Sequence, residues 1–326
     1  MGNSNAIPVS IPPQRHDMHT HSLRSDGTLT PSELVRRAHA AGVEVLALTD
    51  HDVTDGIAEA QAAAAAHGLR LIAGVEISVT WRSQTLHIVG LNIDPERPEM
   101  QQGLARLREF RQWRAEEIGR RLQKKRIEGA FAGAARLAKG TIISRTHFAR
   151  FLVDQGYVRG PQQAFRQFLG QGKPGHVPGR WATLEEAVQW IVAAGGQAVV
   201  AHPARYKLSA GKLRQMLGEF RECGGAAIEV ISGSHTPEAN RHFAGVAAEH
   251  GFLASAGSDY HGPEKTWMDL GRLPALPDGC IPVWHDWDVN NLKPPIGVAQ
   301  GCAGYGAKDA NTDEHRLEPI SKKVFM

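Results

Sequence analysis

Six short apolar runs punctuate this chain, at 43–49, 69–73, 86–93, 198–201, 226–231 and 253–256, after a short His-rich strand at 16–21, and most end in or lead into His, Asp or Glu. Runs this short read as strands, and those apolar on both faces read as strands buried on both sides. Helical segments separate them at 30–41, 57–67, 183–194, 210–222 and 237–250. Strands alternating with helices make parallel βα units. In such folds the strand C-termini share one face, where active-site groups collect. The expected fold is α/β, with the chemistry at one face.

Local signals set the helix ends. Thr30 is an N-cap, Pro31 sits at N1 and Glu33 can close a capping box; Gly42 and Gly68 stop the first two helices, and Thr183 caps a later one. The composition changes near Asp94-Pro95. Residues 101–128 read as one long helix rich in Arg and Lys, followed by helical segments near 147–155 and 162–169 and a Gly/Pro stretch at 170–178. The expected organisation is a disordered leader (1–14), a first barrel part (15–97), a helical insertion over the active-site face (98–180), a second barrel part (181–285) and an irregular tail (286–326).

With 326 residues the chain can bury a sizeable core, and 42% hydrophobic but only 6% aromatic content suits an α/β enzyme better than a β-sandwich. A formal net charge of +3 is too small to argue for nucleic acid or a membrane surface. Cys223, Cys280 and Cys302 are widely spaced with no C-x-x-C, which fits a reducing compartment. No apolar run approaches the ~18 residues of a membrane span, and residues 1–14 lack an apolar core. The expectation is a cytoplasmic protein with no membrane and no protein partner.

His19-Thr20-His21 puts two imidazoles at i and i+2, on one side of a strand, and Asp26 follows from the next turn. Asp50-His51-Asp52, Glu76, His202-Pro203 and Asp259-Tyr260-His261 follow later runs. Each alone has a plain reading: H-x-H as a polar strand end, T-D-H-D as a turn, Glu76 as a helix cap, His202 as a solvated loop residue. Together they place His, Asp or Glu at five successive strand ends, with the intervening helices nearly free of such clusters. Imidazoles and carboxylates without thiolate suit Zn, Mn or Fe(II).

This order of motifs resembles the PHP family, the polymerase and histidinol phosphatase phosphoesterases, over residues 16–262. The resemblance implies a distorted seven-stranded β/α barrel with a helical insertion and three divalent metal ions, most simply Mn, at its C-terminal face. One ion would sit on His19, His21, Glu76 and Asp259. A second would share Glu76 and take His202 with either His87 or His147. A third would take Asp26, His51 and His261. Residues 143–150 are similar to the family subgroup with an inserted helical domain, which hydrolyses nucleoside 3′,5′-bisphosphates to nucleoside 5′-monophosphate; some members also trim short RNA from the 5′ end. The implied substrates are a nucleoside bisphosphate or short RNA. The alternatives are a 5′-3′ exoribonuclease, a phosphatase of another small ester such as histidinol phosphate, and a non-catalytic metal-binding module.

Clustered divalent ions bring the pKa of a bridging water towards neutrality, which supplies a hydroxide for attack on phosphorus. Asp52, His202 and His261 are candidates for proton transfer, although Asp50 and Asp52 could instead orient ligands. Arg111 and Arg114, at i and i+3, can reach one anion together, with Arg145 and His147 as further contacts. A helix this basic also has a solvated face. Trp113 or Trp181 could stack on a base or simply pack in a core.

Overall fold

The computed structural model of the chain describes residues 15–264 and 268–287. The expected leader and all but the first two residues of the expected tail lie outside these. The apolar runs form one seven-stranded sheet in chain order: β1 (His16–Asp17), β2 (Val45–Leu48), β3 (Arg70–Trp81), β4 (Gln84–Leu91), β5 (Gln197–Val200), β6 (Ala227–Ser232) and β7 (Leu253–Gly257). Neighbours pair in parallel except β4, which runs antiparallel to both β3 and β5. Beyond β1, the Met18 N–H donates to Ala256 O (2.9 Å) and the Asp259 N–H to His19 O (2.9 Å). These bonds bring β1 against β7 and nearly close the sheet into the expected barrel.

Strand alternation builds the barrel interior in two layers. Val45 and Ala47, Ile72, Val89 and Leu91, Val199 and Ala227 form an apolar lower layer. Further along the same inward rows come Glu76 and Ser78 of β3, His87 of β4 and Glu229 of β6. The outward rows, including Val75, Ile77, Ile88, Val200 and Ile228, pack under α7 (Leu184–Ala193), α8 (Ala210–Glu222) and α9 (Pro237–His250). On the other side, Leu46 and Leu48 pack under α1 (Pro31–Ala40) and α2 (Ile57–His67). The capping boxes expected at Thr30 and Thr183 both form.

One expectation fails in an instructive way. Glu76 does not end a strand at Ala73; β3 continues to Trp81 because it forms a hairpin with β4, closed at Trp81 opposite Gln84. Arg82 turns that hairpin with a left-handed φ of 55°. The reversal of β4 is why His87, early in its strand, reaches the same mouth as the ends of the parallel strands.

Between β4 and β5 lie α3 (Pro98–Gln123), α4 (Ala130–Leu137), α5 (Arg145–Asp154) and α6 (Pro161–Ala164), the last running into a π-helical turn at Phe165–Leu169. The sequence reading did not anticipate α4. The first half of α3 packs on the barrel through Met100, Leu104 and Leu107. Its second half joins a separate cluster with Phe148, Leu152 and Leu169. The barrel floor is covered by residues 280–287, which have no helix or strand of their own. There the Val283 N–H donates to Ala254 O (2.9 Å), Trp284 stacks on His16 with ring centroids 4.3 Å apart, and the Trp287 indole donates to Gln197 Oε1 (2.7 Å).

Candidate metal centre

Six chain segments deliver imidazoles and carboxylates to the upper layer. His19 and His21 follow β1, and their Nε2 atoms lie 3.0 Å apart. Each is 3.4 Å from Glu76 Oε2, and Asp259 Oδ1 lies 3.2 Å from His21 Nε2 and 3.7 Å from His19 Nε2. The other Glu76 oxygen, Oε1, lies 2.7 Å from His87 Nδ1 and 3.0 Å from His202 Nε2. Asp26 Oδ1 lies 3.2 Å from His261 Nε2 and 3.8 Å from His51 Nε2, while His51 Nδ1 reaches Glu76 Oε2 at 2.8 Å. The structure thus brings together His19, His21, Asp26, His51, Glu76, His87, His202, Asp259 and His261.

These donors fit divalent cations. One ligand atom from each of His21, Asp26, His51 and His261 lies within 4.8 Å of the others; the same holds for His19, His21 and Glu76, and for His51, Glu76 and His87. His21 Nδ1 is buried without a hydrogen-bond partner among the described residues. Imidazole lone pairs and carboxylate oxygens this close, and this dry, are stabilised by a shared cation between them. Burial opposes ionisation of Glu76, but the imidazoles of His51, His87 and His19 outweigh it and hold the carboxyl well below its usual range. Asp259 is likewise held low, burial being overcome by Arg205 and His261. For His21, burial and the neighbouring His261 push the pKa well down, so the ring is a neutral donor.

Supporting groups fix these rings. Glu229 Oε1 lies 2.5 Å from His19 Nδ1, and its Oε2 accepts the His202 N–H (2.6 Å). Asp17 accepts the Ser258 N–H (2.9 Å), tying β1 to the loop that carries Asp259. Asp50 accepts from the Ser22 N–H, the Ser22 hydroxyl and the Ser25 hydroxyl, and so sets the turn that presents Asp26. Tyr206 brackets the His87 backbone: its hydroxyl accepts the His87 N–H at 2.8 Å. Asp52, His202 and Asp259 take left-handed backbone, with φ of 53°, 30° and 55°. Such strain costs about 1–3 kcal/mol per residue and collects at functional sites. A side chain at Gly257 would overlap His19, which explains the glycine there.

Asp52 is engaged away from the metal cluster. Its carboxylate accepts the Ser78 N–H (2.7 Å) and pairs with Arg111 through both Nε (2.7 Å) and Nη2 (2.6 Å). Arg111 also donates to Ser78 Oγ (2.9 Å), so Asp52 holds an arginine rather than facing the donors. Arg111 and Arg114 line an inner cavity of about 260 Å³ together with Arg145, Glu76, His87 and Trp181. Both guanidinium groups of α3 lie over the Trp181 ring, at 5.0 and 5.3 Å from its centroid. Burial and the charges of Arg145 and Arg111 push the Arg114 pKa down to about 9. Three guanidiniums thus face the imidazole and carboxylate cluster across one cavity. Trp113, by contrast, is 52% exposed on α3. His147 sits in the capping box of α5, where its Nδ1 accepts the Ser144 N–H (3.1 Å), and the Ser144 hydroxyl donates to Asp26 Oδ2 (3.1 Å). Of the two histidines left open by the sequence, His87 is the one set against Glu76.

The sequence reading passed over Glu229 and Arg205. A lone Glu in the apolar run 226–231 was itself a signal, because an unpaired buried carboxylate is costly. Arg205, whose Nη2 lies 2.6 Å from Asp259 Oδ2, gave no such signal beside His202-Pro203.

A nearly closed β/α barrel with a carboxylate-bridged imidazole cluster at one mouth defines a metal-dependent phosphoesterase. The chain belongs to the PHP domain family, whose model matches residues 17–198. It is 48% identical over 279 residues to a 3′,5′-nucleoside bisphosphate phosphatase of Chromobacterium violaceum, covering 85% of this chain and 98% of that protein. It is 45% identical over 275 residues to the 5′-3′ exoribonuclease Rnm of Escherichia coli, covering 84% and 94%. Among solved structures, an amidohydrolase from Chromobacterium violaceum with sulfate bound superimposes with a TM-score of 0.80 at 48% identity, covering 83% of this chain and 94% of that one. A Bifidobacterium adolescentis protein assigned as a metal-dependent phosphoesterase gives 0.71 at 27% identity, covering 87% and 98%.

Proposed function

We propose that this enzyme hydrolyses the 3′-phosphate of nucleoside 3′,5′-bisphosphates, giving nucleoside 5′-monophosphate and phosphate. The observation that carries the reading is the inner cavity, where the Arg111, Arg114 and Arg145 side chains share walls with the Glu76 cluster. A substrate with two separated phosphates meets both: one phosphate at the cluster, the other in the arginine clamp. The Chromobacterium violaceum relative with that activity in its name supports the same reading.

In this reading three divalent ions, Mn with Zn or Fe as alternatives, would be held by His19, His21, Glu76 and Asp259; by Glu76, His87 and His202; and by Asp26, His51 and His261. When bound, such ions supply an ionised water at neutral pH and offset charge on the phosphoryl oxygens. Glu76, whose Oε2 faces His19 and His21 and whose Oε1 faces His87 and His202, would serve two of these sites. Glu229 keeps Nε2 of His19 directed at the cluster by engaging Nδ1. His261 and His202 line the cavity, where their Nε2 atoms would serve as metal ligands beside Asp26 and Glu76. Residues 98–180 act as the substrate domain, and Asp52 acts through Arg111 by fixing the guanidinium plane. The setting is the cytoplasm, in keeping with the absence, among the described residues, of any helix long and apolar enough to cross a membrane.

Phosphate release from adenosine 3′,5′-bisphosphate, its 2′,5′ isomer, histidinol phosphate and a 5′-phosphorylated short RNA tests the assignment. The first should be preferred; equal or lower turnover than histidinol phosphate overturns it. A second reading, 5′-3′ trimming of short RNA, is favoured by the similarity to Rnm of Escherichia coli.

A further inference from the structure

A second, larger cavity of about 930 Å³ opens beside the inner one. The two share Thr146, Phe165, Arg205, Asp259 and His261 in their walls, so the outer cavity begins at the ligand cluster. Arg111, Arg114 and Arg145 are not part of it. Instead Arg150 of α5, Arg159 of the loop before α6 and Arg166 of the π-helical turn reach its surface. Arg159 and Arg166 are exposed, and the Glu264 carboxylate stands 3.6 Å from Arg150. Phe165 is half-buried between the cavities, with the Arg145 guanidinium 5.6 Å from its ring centroid.

We propose that the outer cavity is the path of a single-stranded polynucleotide, and that Arg159 and Arg166 hold the phosphates beyond the one being cleaved. The inference rests on the bisphosphate reading and extends it. In a bisphosphate, water adds its oxygen to the 3′ phosphorus and the P–O3′ bond breaks. The 3′ oxygen leaves as a hydroxyl, taking one proton, and the other passes to solvent. In a 5′-phosphorylated strand the same bond breaks by the same addition. The one difference is that the phosphorus also carries O5′ of the next nucleotide, which departs with the new 5′-phosphate.

That substituent needs room next to the cluster and outside the clamp. The inner cavity, at 260 Å³, falls below the usual span of small-ligand pockets, about 300–1,000 Å³, and is already committed to the first nucleotide's phosphates. The outer cavity has the volume, cations spaced along an open wall, and an aromatic face at its entrance. These are the elements by which proteins follow a single strand without reading its sequence.

The test is Arg159→Ala/Arg166→Ala in the full-length, metal-loaded enzyme, since both residues are exposed and neither touches the cluster. For a 5′-phosphorylated hexaribonucleotide, kcat/KM should fall about tenfold, and its dependence on log salt should become shallower by about one for each arginine lost. For adenosine 3′,5′-bisphosphate, kcat/KM should stay within about twofold. Equal loss on both substrates, or no loss on the strand, overturns the proposal. A wild-type enzyme that cleaves the strand but not the bisphosphate removes the bisphosphate reading and leaves the groove; one that cleaves only the bisphosphate removes the groove.

Discussion

At the scale of single residues, the centre depends on how Glu76 divides its two oxygens between imidazole groups. Glu76→Gln keeps the shape but removes the negative charge around which the imidazoles gather. Elemental analysis should find fewer ions per chain, and phosphate release should be lost. The clamp makes a separate prediction. Arg111→Ala should raise KM for the bisphosphate about tenfold or more, in line with the ~1.5–3 kcal/mol of a charged hydrogen bond, while bound metal is unchanged. It should also destabilise the fold by about 3–5 kcal/mol in urea unfolding, because Asp52 is left as a buried, uncompensated charge. Glu229→Gln should weaken metal binding about 10–100-fold by releasing the His19 ring, read by metal titration. Most of the candidate ligands were legible in the sequence, because imidazoles and carboxylates clustered after apolar runs have few other uses. The role of Asp52 was not, because only the fold shows that its neighbour is Arg111, 59 positions away.

At the scale of elements, α3 links the chemistry to the barrel. Its first half is seated on the outer barrel wall, and its second half carries Arg111 and Arg114 to the inner cavity while its apolar face joins the helical cluster. Gly103 lies in the seated half, and a Cβ there would drive into the ring of Trp190. Gly103→Ala should therefore cost about 1–3 kcal/mol in urea unfolding, and its kinetic effect should be a higher KM from a shifted clamp. The sequence showed α3 through its composition and α1 through its cap, because those signals are local. It did not show the reversal of β4. An apolar run carries no arrow, and the hairpin that fixes its direction turns on Arg82 rather than on a glycine or proline.

At the scale of the whole molecule, like charges and rival lone pairs are packed at one mouth of a barrel whose lower half is wholly apolar. Metal binding and folding are therefore linked: ions held only by the native state add stability by mass action, about 4 kcal/mol for a site at a thousand times its dissociation constant. Dialysis against a chelator should lower Tm and abolish phosphate release together, and adding Mn back should restore both. The floor has a different consequence. The ribosome delivers His16 first and its stacking partner Trp284 among the last described residues. At about 5–20 residues per second, the underside of the nascent barrel stays open for at least ten seconds or so. Strands β1 to β6 must wait for β7 and residues 280–287 before the lower apolar layer is shielded from water. Chaperone demand during synthesis should accordingly track the emergence of the floor segment rather than of the catalytic mouth.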